Sequence, residues 1–237
     1  MSKKKKDVSA EETQITKTWS VYKFKNDFER TLLTQPKYTW FEAKTIGEGN
    51  CGVDAIAIAL GFERSRETYK KLRKRLAKLI LRQPNKDHRE EEALAAVRNN
   101  AWLTDDQLVL LGLYFEVIPI IFDAKFDPLA QAAFEKLPES KQEERIARAR
   151  KTKSLLPHQH MPFQGAEGFS EEINALRTKN GKATKYMILR HVAGCHWICL
   201  AHVREKDVKK MEGFMFEDEL PLLLLDAFLA YIQQFEA

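Results

Sequence analysis

Two residues far apart in the chain are of the types that carry out nucleophilic catalysis through a thiol. Cys51 follows the turn sequence Gly-Glu-Gly-Asn at 47–50 and precedes an apolar run, and His196 opens a second apolar segment. A thiol becomes a strong nucleophile near neutral pH when a base such as histidine accepts its proton, and a fold can bring that base from a distant part of the chain. The pair therefore predicts a cysteine hydrolase.

The turn before Cys51 predicts a helix that begins near Cys51 and ends near Gly61. Helix N-termini favour anions through their unpaired N–H groups and their dipole, so we expect an exposed thiol with a lowered pKa. The backbone N–H groups of Glu48 and Asn50 are candidates for an oxyanion hole. The turn alone leaves open the alternative that Cys51 is a small buried core residue, which is the usual role of a free cysteine.

His196 is the strongest candidate for the base, because it lies between a glycine-containing turn and an apolar strand, with Trp197 beside it. Side chains alternate along a strand, so Cys195 and Cys199 point to the face opposite His196 and are interpreted as core thiols. The same alternation separates His202 from both cysteines, which argues against a metal site built from these three residues. We expect no metal and no organic cofactor.

The composition bounds the class of protein. The chain has 237 residues, of which 44% are hydrophobic and 31% charged, enough for one full core. Three cysteines do not make a disulfide framework, which predicts a reducing compartment such as the cytoplasm. No apolar run approaches the length of about 20 residues that crosses a bilayer, and no apolar segment of a signal peptide follows the basic N-terminus.

Residues 64–82 contain nine basic side chains and the single acid Glu67. Nucleic acid or an acidic partner is one interpretation, and it requires an affinity that falls steeply with added salt. The favoured interpretation is an amphipathic helix that buries a stripe containing Tyr69, Leu72 and Leu76 and keeps the basic residues on its solvated face. We therefore expect no nucleic-acid partner.

The chain predicts one domain over residues 16–237, after a disordered basic tail over 1–15. A charged helical insertion is expected over about 124–182. The predicted helices cover 19–33, 51–61, the basic run, 87–99, 104–112, 129–136, 139–152 and 227–235. The predicted strands cover 115–122, 185–192, 197–203 and a returning segment over 214–225, with an extended approach over 37–46. Pro119 places the strand that contains it at a sheet edge or a bulge.

These motifs resemble the ovarian tumour (OTU) family of cysteine proteases. The resemblance extends over residues 40–203 and rests on the turn that ends in Cys51, on Trp102 before a short helix, on the apolar strand at 117–122 and on His196-Trp197. It implies an α/β (α+β), papain-like OTU fold, in which a small central β-sheet is flanked by helices with a helical insertion. It also implies hydrolysis of isopeptide bonds after the ubiquitin C-terminus.

The sequence departs from the family pattern at the residue that orients the histidine. The family position two residues after the histidine is Ile198, which is apolar. If the segments at 197–203 and 214–225 pair antiparallel, Asp226 would lie beside His196 and could hold its tautomer. The alternative for Asp226 is an N-cap of the closing helix.

Two further acids, Glu42 and Glu48, are alternative orienting groups, since some OTU-like proteins draw the acid from that side of the nucleophile. Glu48 also stands where the family has aspartate. The change is mild if that position acts through its backbone N–H.

The resemblance implies a deubiquitinase with ubiquitin or polyubiquitin chains as partners, and we expect a monomer. Helices between 64 and 100, or the insertion, are expected to supply part of the docking surface. The insertion is similar to OTU-like effectors that intracellular bacteria deliver into host cells, which would place the protein in a host cytosol. The apolar Ile198 supports an alternative, a catalytically weak or inactive ubiquitin-binding module on the same scaffold.

Overall fold

The structure, a computed structural model of the chain, combines one β-sheet with helices, which confirms the predicted α/β class. It describes residues 19–36, 38–47, 49–83, 88–98, 101–123, 126–152, 161–192, 196–204 and 213–235. The tail predicted over 1–15, the alternative acid Glu48 and the core thiol predicted at Cys195 lie outside these residues. No helix within them is long and apolar enough to cross a membrane.

One sheet contains the strands of the described residues. They are β1 (Trp19–Val21), β2 (Tyr38–Ala43), β3 (Val117–Asp123), β4 (Lys185–Val192), β5 (His196–Arg204) and β6 (Met215–Phe216). The order across the sheet is β1-β2-β5-β4-β3, and β6 pairs with β4. β3 and β4 run parallel, and the other pairs are antiparallel. The predicted strands at 115–122, 185–192 and 197–203 are confirmed.

Helices connect the strands and pack against them. In the described ranges they are α1 (Asp27–Leu33), α2 (Cys51–Ala59), α3 (Arg66–Ile80), α4 (Arg89–Val97), α5 (Asp105–Tyr114), α6 (Pro128–Glu135), α7 (Glu139–Thr152), α8 (Ser170–Asn180) and α9 (Leu222–Gln233). α2 packs against β5, α5 against β3, and α3 against α2, α4 and α5. The sheet and this helical layer enclose one main hydrophobic core.

α2 is the central helix of this core, and all of its residues are buried. A helix that is apolar all round belongs in the interior, and Asp54 is the exception within it. Gly213 passes the C-terminal end of α2, where an added Cβ would lie 2.4 Å from the Cα atom of Ala59. Only glycine permits this approach, which packs the chain directly against the C-terminal end of α2.

α3 is the amphipathic helix that the basic run predicts. It begins after Ser65, whose hydroxyl accepts a hydrogen bond from the Thr68 N–H at 3.3 Å, and it buries Leu72 and Leu76. One part of the prediction is wrong, because Arg73 is only 1% exposed and does not lie on the solvated face. Its guanidinium makes internal hydrogen bonds instead.

β3 is buried along its whole length and forms one edge of the main strand order. Pro119 lacks a backbone N–H and is therefore confined to an edge or a bulge, as predicted. β3 is preceded by α5, which begins after Thr104 with a capping box closed by Gln107.

The predicted helix over 19–33 is wrong in its first half. Trp19–Val21 forms an edge strand paired with β2, and the helix begins only at Asp27. Asn26 stops the helix from extending further back, because its side chain accepts a hydrogen bond from the Glu29 N–H at 2.8 Å and caps the N-terminus.

A buried ion pair ties α1 to the centre of the sheet. Glu29 accepts a hydrogen bond from Arg190 of β4 at 2.7 Å and another from the Tyr22 hydroxyl at 2.6 Å. Burial and the neighbouring carboxylate raise the pKa of Tyr22 well above its ordinary value. The pair is almost fully buried, so loss of one partner would leave an uncompensated charge in the core.

The predicted return strand over 214–225 is also wrong. Its strand pairing is limited to Met215–Phe216, which pairs with β4 and not with β5. Leu222–Leu225 instead forms the first turn of α9, where Leu224, Phe228 and Ile232 repeat at helical spacing on the buried side. An unbroken leucine run fits a strand or a helix equally well, and tertiary packing decided between them here.

The segment predicted to be an insertion, 124–182, contains the two predicted helices, α6 and α7, and a third helix, α8, that the sequence did not indicate. α6 and α7 form a small separate apolar cluster. Its buried members are Phe134 and Ala149, with Leu137 and Ile146 packed against them. This helical pair has a small core of its own, apart from the main one.

Candidate active site

Cys51 is the first residue of α2, as predicted. The turn before it contains Gly49 with a φ of 77°, in the left-handed region where a side chain is strained. The predicted exposure of the thiol is wrong, because Cys51 is 0% exposed. The helix start is thus formed as the sequence indicates, but it is enclosed by the surrounding chain.

His196 is the first residue of β5, and its strand packs against the helix of Cys51. A Cβ added to Gly52 would lie 3.3 Å from the Cδ1 atom of Trp197. The residue after the cysteine therefore contacts the residue after the histidine. The fold brings the two distant motifs to one place, at the positive end of α2.

Thr45 fixes the imidazole of His196. Its hydroxyl donates to the Trp197 carbonyl at 2.7 Å, and its oxygen lies 3.0 Å from Nε2 of His196. A hydroxyl has a single proton, so the second contact requires that Nε2–H donates to Thr45. In the neutral ring this tautomer leaves Nδ1 unprotonated and able to accept a proton.

Asp54 holds the segment that carries Thr45. Its fully buried carboxylate accepts hydrogen bonds from the Ile46 N–H at 2.8 Å, from Arg64 at 2.7 and 2.9 Å, and from the Tyr69 hydroxyl at 2.7 Å. Arg64 also donates to the Lys44 carbonyl at 2.9 Å. Both neighbours of Thr45 are therefore anchored to the helix of Cys51. Burial and Asp54 raise the pKa of Tyr69 to about 12.

Arg73 of α3 holds the turn before Cys51 through hydrogen bonds. It donates to the Gly49 carbonyl at 2.8 Å and to the Asn50 side-chain oxygen at 3.1 Å. It also donates to the carbonyls of Ala96 and Ala101, at 3.1 and 2.8 Å. The Asn50 side chain accepts from Arg73 and makes no cap hydrogen bond to α2.

A second histidine lies behind the indole of Trp197. The His191 ring stacks on Trp197 with a centroid distance of 4.1 Å and an interplanar angle of 14°. Its Nδ1 lies 3.1 Å from Gln164 Oε1 and 3.6 Å from a carboxylate oxygen of Asp105. Burial and three neighbouring carboxylates raise the pKa of Asp105 to about 7. His191 and its polar partners thus pack against the indole of Trp197, the residue that follows His196.

The structure does not support the proposed strand pairing that would place Asp226 beside His196. Asp226 lies within α9 and is exposed, and α9 packs against α1. The alternative role of Asp226 as an N-cap is also wrong, because the helix begins earlier, after Pro221. Because the leucine run packs as a helix, Asp226 neither lies beside His196 nor caps the helix.

Glu42 and Asn50 are the other predicted residues that the structure describes. Glu42 is opposite Leu200 in the β2–β5 register, about 13 Å along the strand from His196. The Asn50 N–H donates to the Gly47 carbonyl at 3.3 Å within the turn. A contribution of Asn50 to an oxyanion hole stays a prediction.

Cys199 is a core thiol, as predicted, and burial raises its pKa to about 12. Its Sγ lies 3.9 Å from the Gly213 carbonyl. His202 stacks with Tyr38, with a centroid distance of 4.3 Å. In the described part of the chain, no group of three His, Cys, Asp or Glu side chains is arranged to hold a metal.

Sequence reasoning missed Thr45, Asp54 and Arg73. Asp54 carried a signal, because an acid inside a helix that is otherwise apolar needs buried partners. Thr45 is the second residue after β2, and extending the pairing of β2 with β5 by three residues beyond Glu42 brings it to Trp197. Arg73 had no sequence signal that distinguished it from the other basic residues of α3.

No protein family matches the chain, and no curated protein matches it. Among solved structures, an ovarian tumour (OTU) domain in complex with ubiquitin is similar, with a TM-score of 0.47 and 12% sequence identity. The superposition covers 86% of this chain and 91% of that domain. A likeness of this size assigns neither a family nor a substrate to the chain.

Proposed function

We propose that the chain is an OTU-type cysteine protease with a papain-like fold that hydrolyses isopeptide bonds after the C-terminus of ubiquitin. One observation carries the proposal. The tautomer of His196 is fixed by Thr45 at the strand that packs against the N-terminal end of the Cys51 helix. The motif resemblance at 47–51 and at His196-Trp197 supplies the substrate class.

The proposed reaction begins with transfer of the Cys51 thiol proton to Nδ1 of His196. The thiolate then attacks the carbonyl carbon of the C-terminal glycine, and backbone N–H groups of the nucleophile turn stabilise the oxyanion. The C–N bond breaks as the imidazolium gives its proton to the departing lysine amine. His196 next deprotonates a water molecule, which hydrolyses the thioester and releases ubiquitin.

Burial of Cys51 adds a requirement to this reaction. A substrate carbonyl can reach Sγ only if groups around the nucleophile move when the ubiquitin C-terminus binds. Many enzymes couple substrate binding to assembly of the site in this way. The resting enzyme would then react slowly with small unspecific reagents and faster with a ubiquitin-linked electrophile.

Burial of Cys51 also favours a second candidate function, a ubiquitin-binding module without catalysis. Such a module would retain ubiquitin on a column without cleaving it. It would also tolerate Cys51→Ala with no loss of affinity.

Cleavage of a ubiquitin C-terminal amide reporter and of di-ubiquitin tests the proposal. We expect turnover by the wild type and by Cys199→Ala, and no turnover by Cys51→Ala or His196→Ala. Cys199→Ala is the matched control, because it removes a thiol that is equally buried but lies in the core. Equal turnover by the wild type and Cys51→Ala would contradict the assignment of the nucleophile.

A further inference from the structure

Arg73 is a buried cation that donates to no carboxylate among the residues that the structure describes. It is 1% exposed, and its described hydrogen-bond acceptors are all neutral oxygens, belonging to Gly49, Asn50, Ala96 and Ala101. Its Nε is buried and has no hydrogen-bond partner in the described part of the chain. A buried charge without a counter-charge is costly, so a nearby anion would stabilise this arrangement.

Arg64, a second arginine that contacts α2, differs from Arg73 because it has a carboxylate partner. Arg64 donates to the buried carboxylate of Asp54 at 2.7 and 2.9 Å and is neutralised by it. Arg73 instead donates to Gly49 and Asn50, the two residues directly before Cys51. Burial lowers the pKa of Arg73, and the negative charge of a Cys51 thiolate acts in the opposite direction.

The two described cysteines give an internal comparison. Cys51 and Cys199 are both 0% exposed, so desolvation disfavours both thiolates. Cys199 has the carboxylate of Asp54 as its charged neighbour, and its pKa is raised to about 12. Cys51 has a cation and a helix N-terminus beside it, and both favour the thiolate.

We infer that Arg73 is a positioning residue that keeps Cys51 as a thiolate in the resting protein and serves as the counter-charge of its sulfur. The inference deepens the proposed function, on which it rests for the catalytic role of Cys51. The proton of the thiol passes to Nδ1 of His196 before substrate binds, and no bond to carbon forms at this stage. His196 is then needed to protonate the leaving amine and to activate water, and less to create the nucleophile.

Other charged groups near Cys51 bear on its titration. His196 lies at the start of β5, which packs against α2, and a protonated imidazole there would favour the thiolate as well. Asp54 lies one turn further along α2, and its charge is paired with Arg64. α5 presents the apolar Leu108 at the start of α2. Among the described groups, Arg73 is the permanent cation that binds the turn itself.

The pH dependence of Cys51 alkylation tests the inference. Iodoacetamide labelling of Cys51 is followed by mass spectrometry in the wild type, Arg73→Gln, Arg73→Lys and Lys74→Gln. The midpoint is expected to rise by about one pH unit or more in Arg73→Gln, because a cation that favoured the thiolate is lost. Arg73→Lys keeps the positive charge, so its midpoint is expected to stay close to that of the wild type.

Lys74→Gln is the matched control, since it removes the same charge from the neighbouring, exposed position of α3. Its midpoint is expected to equal that of the wild type. Equal midpoints in folded wild type and Arg73→Gln would overturn the inference and leave Arg73 a structural support of the turn.

His196→Ala keeps the test decisive if Arg73→Gln does not fold. With Arg73 as the source of the thiolate, the midpoint in His196→Ala is expected to stay below about 8.5, the value of an ordinary cysteine. A midpoint at or above that value would overturn the inference. The labelling needs no ubiquitin, so a failed ubiquitin assay with a low Cys51 midpoint would contradict only the proposed function.

Discussion

At the scale of the residue, the hydroxyl of Thr45 orients His196, a role that an acid fills in catalytic triads. Thr45 determines which ring nitrogen of His196 has the proton, because its own proton is committed to the Trp197 carbonyl. A neutral hydroxyl orients an imidazole but stabilises an imidazolium less than a carboxylate does. The site is therefore suited to a thiol that already ionises easily, which agrees with the role inferred for Arg73.

Thr45→Val is expected to lower kcat on a ubiquitin reporter by about tenfold to a hundredfold, because the imidazole loses its orienting acceptor. Thr45→Ser keeps the hydroxyl and is expected to remain near wild type. Steady-state kinetics of the two variants measure the difference. Equal kcat values for both would show that another group orients His196.

The main residues at this scale differed in how far the sequence could predict them. Cys51 and His196 stood out because a tight turn before an apolar helix and a histidine before an apolar strand are unusual local patterns. Asp226 was misplaced because its position depended on a strand that is a helix. Arg73 could not be found, since burial of one cation among nine is decided by tertiary packing.

At the scale of the element, the site depends on the distance between α2 and β5. Gly52 allows this contact, since an added Cβ would lie 3.3 Å from atoms of Leu103, Leu108 and Trp197. The helix start and the strand start meet at this point. A small change in packing would therefore be transmitted to His196.

Gly52→Ala tests this packing. Crowding costs about 1–3 kcal/mol, and the gain in helix propensity, about 1 kcal/mol, offsets part of it. We expect a modest loss of thermal stability but a larger loss of activity, about tenfold or more, because displacement of Trp197 moves His196. Gly168→Ala is the control, since an added Cβ there meets no atom within 4 Å. Unchanged activity in Gly52→Ala would show that the contact does not position the histidine.

The sequence predicted most central elements and failed at the two ends of the chain. β3 to β5 and α2 to α5 have strong apolar patterns or clear caps, such as the capping box at Thr104. The N-terminal segment mixes a short edge strand with a capped helix, and Leu222–Leu225 is apolar without a period. Local sequence does not decide such segments, and long-range pairing does.

At the scale of the whole molecule, the polar cluster behind Trp197 makes stability depend on pH. The pKa of Asp105 is raised from 3.8 to about 7, so the native state holds a proton that the unfolded chain has already released. Stability is therefore expected to fall as the pH rises from 3.8 to about 7. Asp105→Asn is expected to flatten this part of the profile.

Urea unfolding at several pH values across that window measures the effect. Glu171→Gln is the control, since it removes an exposed carboxylate from α8. A wild-type profile that rises over the window, or one that Asp105→Asn leaves unchanged, would contradict the assignment.

The helical pair α6–α7 is expected to contribute to recognition more than to folding. Its apolar cluster is separate from the main core, so replacing 128–152 with a short linker should change Tm little. If the insertion helps to dock ubiquitin, di-ubiquitin cleavage should fall by about tenfold or more. Cleavage that remains intact in the folded variant would exclude the insertion from docking.

The most direct test of the account is reaction with ubiquitin that carries a C-terminal propargyl group. We expect the wild type and Cys199→Ala to gain the mass of one ubiquitin, and Cys51→Ala to gain nothing. This result would establish the nucleophile, its access to the ubiquitin C-terminus and the substrate class together. Absence of the adduct, with Cys51 still alkylated by iodoacetamide, would contradict the proposed deubiquitinase and leave a reactive thiol with a different substrate.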